Sequence, residues 1–185
     1  MDHRDHVGLL RAGVPDRAGT WADIGAGEGA FTLALADLLG PGGRILAVDR
    51  DAAALQRNAE AVGGRFPEIA LTTLVTDFTG PLHLPPLDGL VAANSLHFVP
   101  RARQVEVIRQ LARLLRPGGR FIVVEYDVDR GMPWVPHPFS TRTWEQLADA
   151  AGLIDTAQIG RVPSRFLGAI YSAVGRRPSA PASRS

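Results

Sequence analysis

Residues Thr20-Trp21-Ala22-Asp23-Ile24 read as a short buried strand that runs straight into Gly25-Ala26-Gly27-Glu28-Gly29. An amphipathic stretch carrying Phe31, Leu35, Leu38 and Leu39 follows, and Gly40-Pro41-Gly42-Gly43 stops it. Strand, glycine turn and helix in that order make the first half of a βαβ unit. Glycine at the turn lets backbone approach a ligand with no Cβ in the way. This one feature excludes an all-helical or all-antiparallel chain and places a candidate ligand site at the strand's carboxyl end.

The rest of the first two thirds repeats the pattern. Strands are expected at 44–48, 71–75, 87–93 and 120–124, and helices from about Asp51 to Val62-Gly63-Gly64 and across Val105, Ile108, Leu111 and Leu115. Asp51 suits an N-cap. Residues 127–139, with three prolines, read as a long loop, and a helix from about Thr141 to Ala151 ends at Gly152. Segments 154–159 and 166–174 are joined too closely for a parallel crossover, so they should pair antiparallel. A chain of 185 residues suits one domain, expected over 1–175, with 176–185 as a Ser/Pro/Ala/Arg-rich disordered tail. An amphipathic segment near Val7–Ala12 precedes the repeat.

Acidic residues fall at the carboxyl ends of three consecutive strands: Asp23, Asp49 and Asp77. Asp49 lies 24 residues after Gly25, the spacing at which a carboxylate meets ribose hydroxyls in nucleotide-binding βαβ units. Gly25, Gly27 and Ala30 also satisfy a loose dinucleotide fingerprint, which keeps an NAD(P)-dependent oxidoreductase open. The charges favour a different ligand. Asp23 and Glu28 would repel a pyrophosphate at the helix N-terminus, whereas a ligand with an ammonium and a sulfonium suits them.

Asp23-Ile24-Gly25-Ala26-Gly27-Glu28-Gly29 resembles motif I of the class I S-adenosylmethionine (SAM)-dependent methyltransferases. Val48-Asp49, Thr76-Asp77-Phe78, Asn94-Ser95-Leu96-His97-Phe98 and Leu114-Leu115-Arg116-Pro117-Gly118-Gly119-Arg120 are similar to that family's later segments, in order. The resemblance covers about residues 18–175. It implies an α/β three-layer αβα sandwich with a seven-stranded, mostly parallel sheet in the order 3-2-1-4-5-7-6, closed by a C-terminal antiparallel hairpin. It also implies SAM as cofactor and S-adenosylhomocysteine as product. By the resemblance, Asp23 with the backbone of Gly25, Ala26, Gly27 and Gly29 holds the methionine part. Asp49 holds the ribose, and Arg50 sits beside the adenine. Asp77 accepts from the adenine amino group with Phe78 alongside, and Asn94 and Ser95 floor the site near the sulfonium.

Methyl transfer from a positive sulfur depends chiefly on positioning. Where the acceptor must lose a proton, His97 is the candidate base, with Glu125 and Tyr126 also at strand ends. His97 has an alternative reading as a ring packed over the sheet edge. Tyr126, Trp134 and His137 are candidate substrate contacts, and Trp134 sits in the long loop. His3, His6 and His83 have no ligand-like spacing, and no metal site is expected. Basic and acidic side chains number 20 and 19, so no charge surplus points to nucleic acid or a membrane. No apolar run approaches the roughly 18 residues of a membrane span. The chain has no cysteine and a charged start, and the expected compartment is the cytoplasm. A small-molecule acceptor follows by elimination, and a non-catalytic SAM-binding protein stays open as an alternative. The sequence carries no signal of oligomeric state.

Overall fold

A computed structural model describes residues 1–179. Seven strands form one sheet in the order β3-β2-β1-β4-β5-β7-β6. They are β1 (Thr20–Ile24), β2 (Arg44–Asp49), β3 (Ala70–Val75), β4 (Leu87–Ala93), β5 (Leu115–Tyr126), β6 (Ile154–Pro163) and β7 (Ala169–Arg176). The first five pair in parallel, and β7 runs antiparallel to both β5 and β6. The helices are α1 (His3–Arg11), α2 (Ala30–Leu39), α3 (Ala52–Arg65), α4 (Arg101–Ala112) and α5 (Thr141–Ala151).

Side chains of successive strand residues point to opposite faces, and this alternation builds two cores. Trp21, Ile45, Val91 and Ile122 face one way and pack with Leu9, Leu10, Leu35 and Leu39 of α1 and α2. Their neighbours Ala22, Leu46, Ala92 and Val123 face the other way, onto Ile108 and Leu111 of α4 and Trp144 of α5. Strands covered on both faces need nearly continuous apolar sequence, as in β4, where six of seven positions are buried. β3 and β6 lie at the edges, and β3 has no fully buried position.

Local chemistry sets the element ends. The Asp51 carboxylate accepts the Ala53 and Ala54 N–H groups at 2.9 and 3.0 Å and starts α3, as the sequence predicts. Gly152 closes α5 in the left-handed region at φ 87°. α3 runs through Gly63 and Gly64 to Arg65, one residue past the expected end. A glycine inside a helix costs only about 1 kcal/mol, and Val62 is buried in the core cluster that includes α2.

β5 departs most from expectation. It begins at Leu115, where the sequence suggests a turn, because Leu115 pairs with Leu87 before the register jumps to Gly89 opposite Arg120. The extra residues form a bulge, with Gly118 at φ 75°; the Gly118 N–H donates to the Arg177 carbonyl and the Gly119 carbonyl accepts the Arg177 N–H. The expected tail is therefore ordered further than 175. β7 reaches Arg176, and Arg177 exchanges backbone hydrogen bonds of 2.9 Å with Gly118 and Gly119. Residues 180–185 lie outside the described part.

Gly89 in β4 is set by packing: a Cβ there would lie 2.4 Å from the Trp21 ring. Gly89→Ala should destabilise the fold by about 1–3 kcal/mol, seen as a lower midpoint of urea unfolding at an unchanged slope.

Candidate functional site

A cavity of about 450 Å³ opens at the carboxyl ends of β1 to β4, within the usual size range of small-molecule sites. Four connections line it: Gly25 and Gly27 after β1; Asp49, Arg50, Asp51 and Ala54 around the start of α3; Thr76 to Thr79 after β3; and Asn94, Ser95, Phe98, Val99, Pro100 and Arg103 after β4.

Asp49 is the hub of the first two. Its Oδ2 accepts the Gly27 N–H at 2.8 Å and its Oδ1 accepts the Asp51 N–H at 2.9 Å. A carboxylate has about four lone-pair positions, so two remain for a ligand diol. Asp77 Oδ1 accepts the Thr79 N–H at 2.8 Å. That bond, with help from Arg50 and Arg103, holds the Asp77 carboxyl below the usual carboxylate range and keeps it ionised.

Gly25 is needed where it stands. Its φ is 73°, and a Cβ would lie 2.4 Å from Ser95 Cβ, so the loop lies directly on the residue after β4. At this floor Asn94 takes a φ of 50°. Asn94 Oδ1 and Ser95 Oγ are both buried and without a hydrogen-bond partner. Buried polar atoms rarely go unpaired; both residues line the cavity, and a side-chain rotation would present these oxygens to it.

Asp23 differs from the sequence-based expectation. It is buried, at 1% exposure, and does not line the cavity. Thr32 of α2 covers it and donates to Oδ2 at 2.6 Å, while Asn58 of α3 donates to Thr32 Oγ1 at 2.8 Å. Burial pushes the Asp23 carboxyl up to about 7; the Thr32 bond opposes the rise and nearby Asp49 adds to it. Ala26 and Gly29 lie in the same loop but do not line the cavity. Asn58 fixes the loop from below, its carboxamide filling the space that a Cβ on Gly29 would need.

His97 also stands back from the cavity wall, at 3% exposure. Its Nδ1 is 2.9 Å from both oxygens of the fully buried Glu125. Facing a carboxylate, Nδ1 carries the proton. Glu125 Oε1 also accepts the Tyr126 N–H at 2.8 Å. The His97 ring lies 4.3 Å from Phe98 and 6.4 Å from Tyr126 between centroids. Burial and Glu125 push the Tyr126 hydroxyl above its ordinary value.

Of the expected substrate contacts, Trp134 is the most open, at 63% exposure. It lies inside a small bridge between Met132 and Val135. The surrounding loop is tied down. His137 N–H donates to the His97 carbonyl at 3.0 Å, and Gln104 donates to the His137 carbonyl at 2.8 Å. Asp129 accepts from Ser140 at 2.9 Å, and Asp127 pairs with Arg161. Tyr126, Trp134 and His137 do not line the cavity. α1 is not over the cavity either: it packs on α2, and Ser172 of β7 donates to the Leu9 carbonyl at 2.6 Å.

Sequence reasoning did not place Asp51, Ala54, Thr76, Thr79, Phe98, Val99, Pro100 and Arg103 in the site. The available clue was the Pro100 that opens α4, which turns this segment back over the site.

Residues 22–121 match the family described as a methyltransferase domain. The chain belongs to that family. The strand order, with an antiparallel strand inserted before the last edge, is that of the class I SAM-dependent methyltransferases and rules against the oxidoreductase reading. A curated relative, carboxy-S-adenosyl-L-methionine synthase of Ectopseudomonas mendocina, is 28% identical over 125 residues, covering 65% of this chain and 51% of that protein. The chain thus spans about half the length of this relative. Among solved structures, 1,6-didemethyltoxoflavin-N1-methyltransferase of Burkholderia thailandensis was determined with 1,6-didemethyltoxoflavin and S-adenosylhomocysteine bound. It superposes with a TM-score of 0.73 at 19% identity, covering 96% of this chain and 78% of that one. The N-methyltransferase NodS of Bradyrhizobium japonicum gives a TM-score of 0.71 at 22% identity, covering 95% and 96%.

A folded-state Asp23 value near 7, above the ordinary 3.8, means the native state holds a proton that the unfolded chain has released between those values. Stability from this group is fully present below about 4 and falls as pH rises to 7. Asp23→Asn removes the effect. The variant should gain about 2–3 kcal/mol on the wild type between pH 5 and pH 8, measured by urea unfolding at each pH.

Proposed function

We propose that this chain transfers the methyl group of SAM to a small-molecule acceptor. One observation carries the reading: the cavity gathers the glycine loop after β1, the carboxylates Asp49 and Asp77, and the polar residues Asn94 and Ser95, with Arg50 and Arg103 also in its wall. A donor-rich ligand fits the carboxylates, which accept from hydroxyls and amines and draw positive charge.

In this reading Asp49 holds the ribose hydroxyls, and Arg50 with Phe78 flanks the adenine. Asp77 accepts from the adenine amino group. Gly25 and Gly27 admit the methionine part, and Asn94 and Ser95 lie under the sulfonium. Asp23 acts from beneath, through Thr32 and Asn58, by keeping the loop in shape. When bound, SAM supplies a methyl carbon already activated by positive sulfur. The protein's part is orientation, worth as much as roughly 7–11 kcal/mol in favourable cases.

For an acceptor that must lose a proton, His97 takes it once the acceptor side opens onto its ring, which is buried and outside the cavity wall in this structure. Glu125 fixes the proton on Nδ1, which leaves Nε2 as the acceptor atom. Tyr126, Trp134 and His137 border the acceptor side. A cytoplasmic location is part of the same reading. Among the described residues no helix is long and apolar enough to cross a membrane.

Calorimetric titration with SAM, S-adenosylhomocysteine and NADH tests the cofactor. Micromolar binding of the first two, with none of the third, is expected; NADH binding alone would overturn the reading. Asp49→Ala should weaken SAM binding by about 1–3 kcal/mol. His97→Gln keeps a donor for Glu125, so it should leave S-adenosylhomocysteine affinity unchanged while lowering turnover. A large loss of affinity would place His97 in cofactor binding instead.

A further inference from the structure

A second cavity, of about 280 Å³, lies at the opposite edge of the sheet. Its lining comes from the segment between α1 and β1, the start of β4, the bulge of β5 and the end of β7. It includes Arg17, Asp88, Arg116, Arg120 and Arg176. β4 spans seven residues between the two edges, so the two cavities are separated by about 20 Å of sheet. The wall carries four guanidinium groups against one carboxylate, in a chain whose net charge is only +1.

Arg17, Arg116 and Arg176 are exposed and Arg120 is partly buried, and three features set this cluster apart from scattered surface charges. First, Arg120 and Arg176 stand directly opposite each other on antiparallel β5 and β7. Directly opposed residues share a face, and like charges there repel. Second, the one carboxylate is already engaged: Asp88 Oδ1 takes Arg116 at 2.6 Å, and its Oδ2 accepts the Thr20 N–H at 2.8 Å. Among the described residues neither Arg17 nor Arg176 has an ion-pair partner. Third, Arg120 is half-buried and anchored, donating to the Gly13 carbonyl at 2.7 Å. Burial, Arg176 and Arg17, in that order, push its guanidinium below the ordinary value. The fold thus holds together cations that repel.

We propose that this cavity binds a small multivalent phosphate-type anion through Arg17, Arg120 and Arg176, apart from the methyl-transfer site. Guanidinium forks match phosphate oxygens in pairs. The volume sits just below the range for drug-sized ligands, which favours pyrophosphate or a single phosphate group over a larger molecule. Anion binding would turn the Arg120–Arg176 repulsion into a shared contact.

The test uses the full chain with saturating S-adenosylhomocysteine, so that Arg50 and Arg103 are covered. Inorganic pyrophosphate and phosphate are titrated at constant ionic strength, followed by calorimetry and thermal unfolding, with chloride as control. Saturable pyrophosphate binding with a raised Tm is expected, weaker with phosphate and absent with chloride. Arg176→Gln and Arg17→Gln should each weaken pyrophosphate binding about tenfold and leave S-adenosylhomocysteine affinity unchanged, which also shows that the variants are folded. Without the anion, Arg176→Gln should melt higher than the wild type, because the repulsion is relieved. No binding to the wild type, or equal binding to both variants, overturns the proposal.

Discussion

The Asp49 carboxylate is the tie on which the ligand edge depends. It ends β2, and through Gly27 it fixes the loop between β1 and α2. Through Asp51 it fixes the start of α3. Two connections that are far apart in sequence therefore share one pair of oxygens. Backbone N–H groups at a helix start or in a tight loop need partners, and Asp49 supplies them without using all its lone pairs. The same group that organises the loops is thus left able to meet a ligand.

Much of this edge was legible because it depends on local order. A strand followed by glycine, or by an acid that caps a helix, announces where a parallel strand ends, so Asp49, Asp51, Asp77 and Asn94 fall where the sequence puts them. The depth of a side chain was not legible. Asp23 and His97 sit at correctly placed strand ends, yet both are buried, because Thr32 of α2 covers the first and Glu125 of β5 draws in the second. These partners are nine and twenty-eight residues away and come from other elements, so no short window of sequence reveals them. The bulge in β5 escaped for a similar reason: Leu115-Arg116-Pro117-Gly118-Gly119 looks like a turn, and only its partners Leu87 and Arg177 make it part of the sheet.

A near-neutral chain carries different charge balances at the two ends of its sheet. Carboxylates of Asp49, Asp51 and Asp77 stand with Arg50 and Arg103 at the carboxyl ends of the strands, and four guanidinium groups stand with the lone carboxylate of Asp88 at the amino ends. Net charge averages these away, which is why composition argues only about bulk partners. The field at each edge is set by topology, since parallel strands bring every strand start to one side and every strand end to the other.

The place of β7 has a consequence for how the protein is made. It is the last described strand, yet it lies inside the sheet, between β5 and β6. A ribosome delivers the chain from its amino end, so β5 waits with an open flank until residues 169–176 emerge. Until then β6 has no neighbour in the sheet, and Leu9 lacks the Ser172 hydroxyl that binds its carbonyl. Unpaired strand flanks are the surfaces on which nascent chains misassociate. Completion of this domain is therefore a late event in synthesis, governed by a strand with contacts far back in the chain.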